Sequence, residues 1–309
     1  MTPSRASSQA SSPTGTQHDI TLGEQSATVT QLGAGLRRYA VAGRDVVKGY
    51  GADEPVSGGK GQQLIPWPNR IRDGRYPWAG TTQQLWLSEP PRHNASHGLA
   101  RYVPWIVVAH EASRVVLELT IFTQPGWPGV LHAQLTYALT DDGLHVTLEA
   151  TNVGATEVPF GYGAHPYLTV GEERVDEVEV TLPAASRLEV DDRMLPVAVS
   201  PVEGSGLDLR EPSPVGDRVL DTAYTDLARD ADGGWSVRLR RGERTAELWA
   251  DSSFGWAQVF TGEKRRDVGL AVEPMTCGPD AFNPGPTHDG MLTLAPRETL
   301  RFRWGIRGS

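Results

Sequence analysis

In the stretch DGLHVTLEATN, Leu144, Val146, Leu148 and Ala150 alternate with His145, Thr147, Glu149 and Thr151. A period of two predicts a strand with one buried face. AQLTYALT, just before it, predicts a second strand, and the intervening DDG is a hairpin signal. The same arrangement recurs in WSVRLRRG with TAELWAD and in WAQVFTG with VGLAVEP, each pair joined by a short polar turn. Helical periodicity is almost absent. Many strands at roughly ten-residue spacing predict an all-β chain, folded as a sandwich or barrel of antiparallel sheets. No linker after residue 18 is long enough to divide the chain, which predicts a single domain over residues 18–309.

Composition narrows the function classes. The first seventeen residues, MTPSRASSQASSPTGTQ, are rich in Ser, Thr and Pro without an apolar core. They read as a disordered tail over residues 1–17 rather than a secretory signal. A hydrophobic content of 39% is enough to bury a core, and a net charge of −9 argues against nucleic acid as a partner. Cys277 is the only cysteine, so no intramolecular disulfide can form, which fits a reducing compartment. No run of about 18 apolar residues predicts a membrane span. A cytoplasmic protein is expected.

Four stretches carry candidate chemistry. In AVEPMTCGPDAFNPG, Glu273 follows the apolar run VGLAV and precedes a segment dense in Pro and Gly, so it is expected where a buried strand leaves the core. A Glu there is either paired to hold the loop or exposed in a cleft to do chemistry. LIPWPNRIRDGRYPWAG displays Asn69 and Arg70 after two prolines. Arg70 reads either as half of a surface ion pair or as a planar fork of donors for a polar ligand. RHNASHGLA sets His93 and His97 four apart, a spacing that suits a metal only on a helix, whereas Asn94, Ser96 and Gly98 favour a loop. FGYGAHPYLTV places His165 among glycines and aromatics, either as a hydrogen-bonded structural residue or as an acid titrating near neutrality. Tyr162 and Tyr167 beside it would suit a sugar face or a core equally.

PWPNRIRDGRY, HNASHGLAR, GAHPYL, LDTAYTDL and VEPMTCGPDAFN, in that order over residues of about 20–305, resemble the aldose 1-epimerases, or mutarotases. Each motif alone is unspecific; five in the family's order with comparable separations are not. The resemblance implies a galactose-mutarotase-like β-sandwich (a supersandwich) that interconverts the α and β anomers of a free monosaccharide. It implies Glu273 as the base on the anomeric hydroxyl and His165 as the acid on the ring oxygen. Arg70 and His97 would bind the sugar, Asp221 would accept its hydroxyls in preference to Asp226, and Asn69 would orient the loop. Neither metal nor cofactor is called for. The active form would be an imidazolium–carboxylate pair, with His165 raised above its usual value of about 6.5 by its neighbour.

A glycosidase would need two carboxylates about 5–10 Å apart, and the family pattern supplies one. Two other classes stay open on the same fold: a non-catalytic carbohydrate-binding protein, which needs no acid and base, and a hexose-phosphate epimerase, which needs basic residues at the pocket mouth. The wording of GQQLIPWPNRI and HNASHGLAR is closer to a bacterial branch that includes sulfoquinovose mutarotases. A sulfonate or phosphate on C6 would want an extra cation, for which Arg72, Arg75 and Arg101 are candidates. Oligomeric state and pathway are not readable from the chain.

Overall fold

The predicted alternation becomes, in the computed structural model, two large antiparallel sheets facing one core. Residues 12–171, 174–262 and 269–309 are described. Among them, one sheet of nine strands runs through Arg114–Ile121, Leu131–Thr140, Gly143–Asn152, Thr299–Gly308, Arg244–Ala250 and Trp235–Arg241 in that spatial order. A second, of twelve strands, has Tyr167–Leu168, Leu270–Met275, Trp256–Phe260, Asp221–Leu227 and Ala184–Val190 side by side at its centre. Both sheets are open, so the choice between sandwich and barrel falls to the sandwich. All three predicted hairpin pairs form antiparallel ladders. Residues 263–268, between the strands of the third pair, lie outside the described residues.

The period of two does what it should. Leu135 sits opposite Leu148 and Tyr137 opposite Val146, and these join Val259, Leu270 and Val272 of the other sheet in one apolar cluster. A buried polar chain crosses the same core. Trp304 Nε1–H donates to the Tyr162 hydroxyl (2.8 Å), Tyr162 to Gln63 Oε1 (2.7 Å), Gln63 Nε2 to the Tyr137 hydroxyl (2.7 Å), and Tyr137 to the Ala34 carbonyl (2.6 Å). Tyr162 is therefore a core residue rather than a face for a sugar. In a low-dielectric interior such a chain is favourable only while every member is paired.

Two sequence-based expectations need correction. The tail assigned to residues 1–17 lies outside the described residues as far as residue 11, but from Ser12 the chain is placed against the fold. Thr14 is buried, its carbonyl accepts from Leu32 N–H, and a strand begins at Gln17. The small polar side chains that suggested disorder here satisfy one another, as when Gln17 Nε2 donates to Thr14 Oγ1 at 2.9 Å. The second correction concerns Glu273, which stands inside the strand Leu270–Met275 rather than at its exit. That strand is buried on both faces, so an apolar run did not mark its end.

Because the strand alternates, Leu270 and Val272 enter the core while Glu273 faces the opposite way. Ala257 and Val259 of the adjoining strand likewise enter the core, leaving Gln258 and Phe260 on the outer face, with Gln258 directly across from Glu273. One strand further, Asp221 lies across from Phe260. The outer face of the central strands thus gathers Asp221, Gln258, Phe260 and Glu273.

Tyr137→Phe removes the donor to Ala34 and the acceptor for Gln63 from the buried chain. Urea unfolding should show a loss of about 1–3 kcal/mol at unchanged m value. An unchanged midpoint would show that the chain contributes nothing to stability.

Candidate active site

Loops cover the outer face and leave a cleft of about 370 Å³. Glu273, His165, Arg70, His97, Asp221 and Asn69 all line it, joined by Glu89, Arg92, Gln258, Phe260 and Arg101. The sequence brought the first six to attention, and the fold brings them together. Asp226 is exposed and outside the cleft, so of the two aspartates in LDTAYTDL it is Asp221 that reaches it. His93 turns away on the surface and pairs with Asp73 at 2.9 Å, separated from His97. Among the described residues no group of three or more His, Cys, Asp and Glu is placed to hold a metal ion.

His165 is fixed from several sides. Its backbone N–H donates to the Gln62 carbonyl and its own carbonyl accepts from Gly61 N–H, at 3.0 and 2.9 Å. Its ring stacks on Tyr167 with centroids 5.3 Å apart. Gly59, at a φ of +74°, packs against the ring; a methyl group there would stand 2.8 Å from His165 Cδ2. A glycine is needed for both the left-handed backbone and the close approach. So held, His165 Nε2 lies 3.1 Å from Glu273 Oε1, and both side chains are almost fully buried. Glu273 Oε2 has no hydrogen-bond partner among the described residues.

The segment after Glu273 explains its Pro and Gly content. It doubles back so that Asp280, itself in the left-handed region, receives the Arg72 N–H at 2.8 Å on its carboxylate and donates its own N–H to the Arg70 carbonyl at 2.7 Å. The strand carrying the carboxylate is thereby tied to the strand carrying the arginine. Asn69, also left-handed, donates its backbone N–H to His97 Nδ1 at 3.2 Å, which leaves the ring proton of a neutral His97 on Nε2. Asn69 does more than orient the loop. Its amide bridges Gln258 Oε1 (3.4 Å) and an Arg70 terminal nitrogen (3.3 Å), while Gln258 donates to Asp221 at 2.6 Å.

A profile of the aldose 1-epimerase family matches residues 18–307, nearly the whole described fold. The chain belongs to the aldose 1-epimerase family. This epimerase is 32% identical over 267 residues to the uncharacterized protein YihR of Escherichia coli K12, covering 86% of this chain and 85% of the relative. It is 27% identical over 187 residues to mouse galactose mutarotase, covering 59% and 53%. Its fold matches a galactose mutarotase-like protein of Clostridium acetobutylicum with a TM-score of 0.84 at 16% identity, over 94% of each chain. An aldose epimerase homologue from C. elegans matches at 0.82 and 18% identity, over 95% and 98%. The family is one of isomerases acting on free sugars, and no helix among the described residues is long and apolar enough to cross a membrane.

Electrostatics in the epimerase depart from the expected ion pair. Burial lowers His165 to about 3, the reverse of the anticipated rise. Burial likewise pushes the Glu273 carboxyl well above the usual carboxylate range, with Asp221 adding to the rise and Arg70 opposing it. The cost of removing charge from water outweighs the mutual attraction of the pair. Burial also lowers His97 and raises Asp221. Burial thus favours a neutral imidazole and a neutral carboxyl across the 3.1 Å contact between Nε2 and Oε1.

Several residues of the cleft escaped the sequence. Gln258 was within reach, because WAQVFTG alternates Trp256, Gln258 and Phe260 against Ala257 and Val259. What the sequence lacked was the register that sets Gln258 across from Glu273. Glu89 and Arg92 sit in an irregular stretch, and nothing in its pattern marks them. Of the aromatics, Tyr102 and Phe260 line the cleft, whereas Tyr167 stacks on the His165 ring.

Proposed function

We propose that the epimerase interconverts the α and β anomers of a free aldose by passing one proton through Glu273 and His165. The observation that carries this reading is their 3.1 Å contact in a polar cleft, where burial favours the neutral form of both groups. Ring opening requires that the anomeric O–H lose its proton while the ring oxygen gains one. The O–H electrons become the second bond of the aldehyde, and the C1–O5 pair takes the proton from the acid. An imidazolium and a carboxylate before the step become a neutral imidazole and a carboxyl after it. Rotation about C1–C2 and closure in reverse return the proton to its first position. The total count on the pair never changes: from the neutral resting pair the carboxyl proton first passes to the imidazole, and burial then favours the return to neutral groups that accompanies ring opening. The free Glu273 Oε2 offers a second acceptor to the sugar. The Nε2–H of His97 and the remaining hydrogens of Arg70 supply donors. A purely carbohydrate-binding protein would have no reason to bury an acid and a base in contact.

The sugar is read from the cations. Arg72 is paired with Asp280, Arg75 bonds Gln84, and neither lines the cleft. Arg101 does line it and makes no ion pair among the described residues; its guanidinium lies over the Tyr102 ring, 4.7 Å from the centroid. Its charge acts on both His97 and His165, which supports seating it near the acid and the ring oxygen. C5 is bonded to that oxygen, so the exocyclic C6 points to the same end. An aldose with an anion on C6, a sulfonate, phosphate or carboxylate, would meet Arg101 there. The substrate class we favour is therefore a C6-anionic aldose such as sulfoquinovose.

Two measurements test these readings. Glu273→Gln should lower the mutarotation rate, followed by polarimetry, about 10²-fold or more while the fold is kept. Activity within about tenfold of the unaltered protein would remove Glu273 from the proton path. For the sugar, the panel is D-glucose, D-galactose, glucose 6-phosphate, galacturonate and sulfoquinovose. Arg101→Gln should cut kcat/KM for the preferred anionic sugar about 10-fold or more and leave the neutral sugars within about twofold, as expected for loss of a charge-assisted hydrogen bond. An equal loss on all sugars would contradict the C6 assignment.

A further inference from the structure

Arg70 reaches the cleft already engaged. Its Nε and one terminal nitrogen grip both oxygens of Glu89, at 2.8 and 3.1 Å, and its other terminal nitrogen donates to Asn69 Oδ1 at 3.3 Å. A guanidinium has five N–H hydrogens in one plane. These contacts use three and leave one on each terminal nitrogen. Glu89 is itself held in place. Arg92 donates to the same oxygen at 2.9 Å, Asn94 Nδ2 lies 3.3 Å from the other, and backbone bonds in both directions join residues 89 and 94. Its carboxylate is only partly exposed, as is Arg70. Burial works to raise it, but Arg70, Arg92 and Asn94 together hold it below its ordinary range, so it stays ionised.

We infer that Glu89 is a positioning residue that aims the two remaining N–H groups of Arg70 at the sugar, a role that rests on Arg70 binding substrate as proposed above. A bidentate carboxylate fixes both the plane and the rotation of a guanidinium, which a single hydrogen bond does not. It also balances the charges of Arg70 and Arg92 on the Asp221 side of the cleft. Glu89 lines the cleft, but its oxygens are occupied by Arg70, Arg92 and Asn94. It acts through Arg70.

Steady-state polarimetry on the panel sugar turned over fastest, with variants at both positions, tests this. Glu89→Gln keeps the size and loses the charged fork. It should raise KM about 10-fold or more with kcat within about threefold, and Glu89→Asp should restore part of the loss. In an Arg70→Ala background Glu89→Gln should change KM by less than about twofold, because residues acting as one unit do not add. Additive effects, or a lower Tm with unchanged KM, would make Glu89 a structural residue only. A protein inactive on every panel sugar would instead overturn the proposed function, and with it the substrate role of Arg70.

Discussion

A carboxylate and an imidazole removed from water against each other set the terms for the rest of this molecule. Charging either group alone in that position costs several kcal/mol, and the pair avoids the cost by sharing one proton. The arrangement demands a rigid platform, since a loose contact would admit water and restore ordinary titration. The central strands of the twelve-stranded sheet supply that platform for Glu273, and the Gly59–Gly61 turn and Tyr167 supply it for His165. The site sits on the outer face of the sheet and leaves the inter-sheet core uninterrupted, so stability and chemistry use opposite sides of the same strands.

Around the pair, charge is partitioned by position. On the Asp221 side, Glu89 balances Arg70 and Arg92, and Gln258 holds Asp221 within the same network as Asn69. On the histidine side Arg101 makes no ion pair among the described residues, though Glu89 acts on it at longer range. An acidic protein can thus present one end of its cleft as cationic, because local pairing and not net charge decides what a buried ligand meets.

Much of this was legible from the chain, for definable reasons. Alternation in Leu144–Ala150 and its neighbours announced half-buried hairpins because one face of each strand is wet. The strand carrying Glu273 was harder, since burial on both faces erases the alternation that would have shown which way the carboxylate points. Five of the six cleft residues stood out in their own stretches and Asp221 entered with the ordered motifs, and their types matched the chemistry of a hemiacetal. Glu89 was invisible because its partner lies across a loop and no periodicity connects them. The direction of the His165 shift was misread for a related reason: a sequence shows that a carboxylate is nearby, whereas desolvation, which dominates here, is a property of the packed fold. The polar Ser/Thr stretch at residues 12–17 was misjudged because its bonds are mostly to itself and to Gln31 and Leu32, contacts that composition does not reveal.

The claim that one proton is shared by an otherwise uncharged pair is open to direct observation. The ¹⁵N shifts of the His165 ring, assigned by comparison with His165→Asn, report its charge between pH 8 and pH 5. With the folded value lowered by burial, the imidazole should show the shifts of the neutral ring throughout that range. Conversion to imidazolium with a midpoint at or above the ordinary value of about 6.5 would contradict the account, placing a stable ion pair where it requires a neutral one.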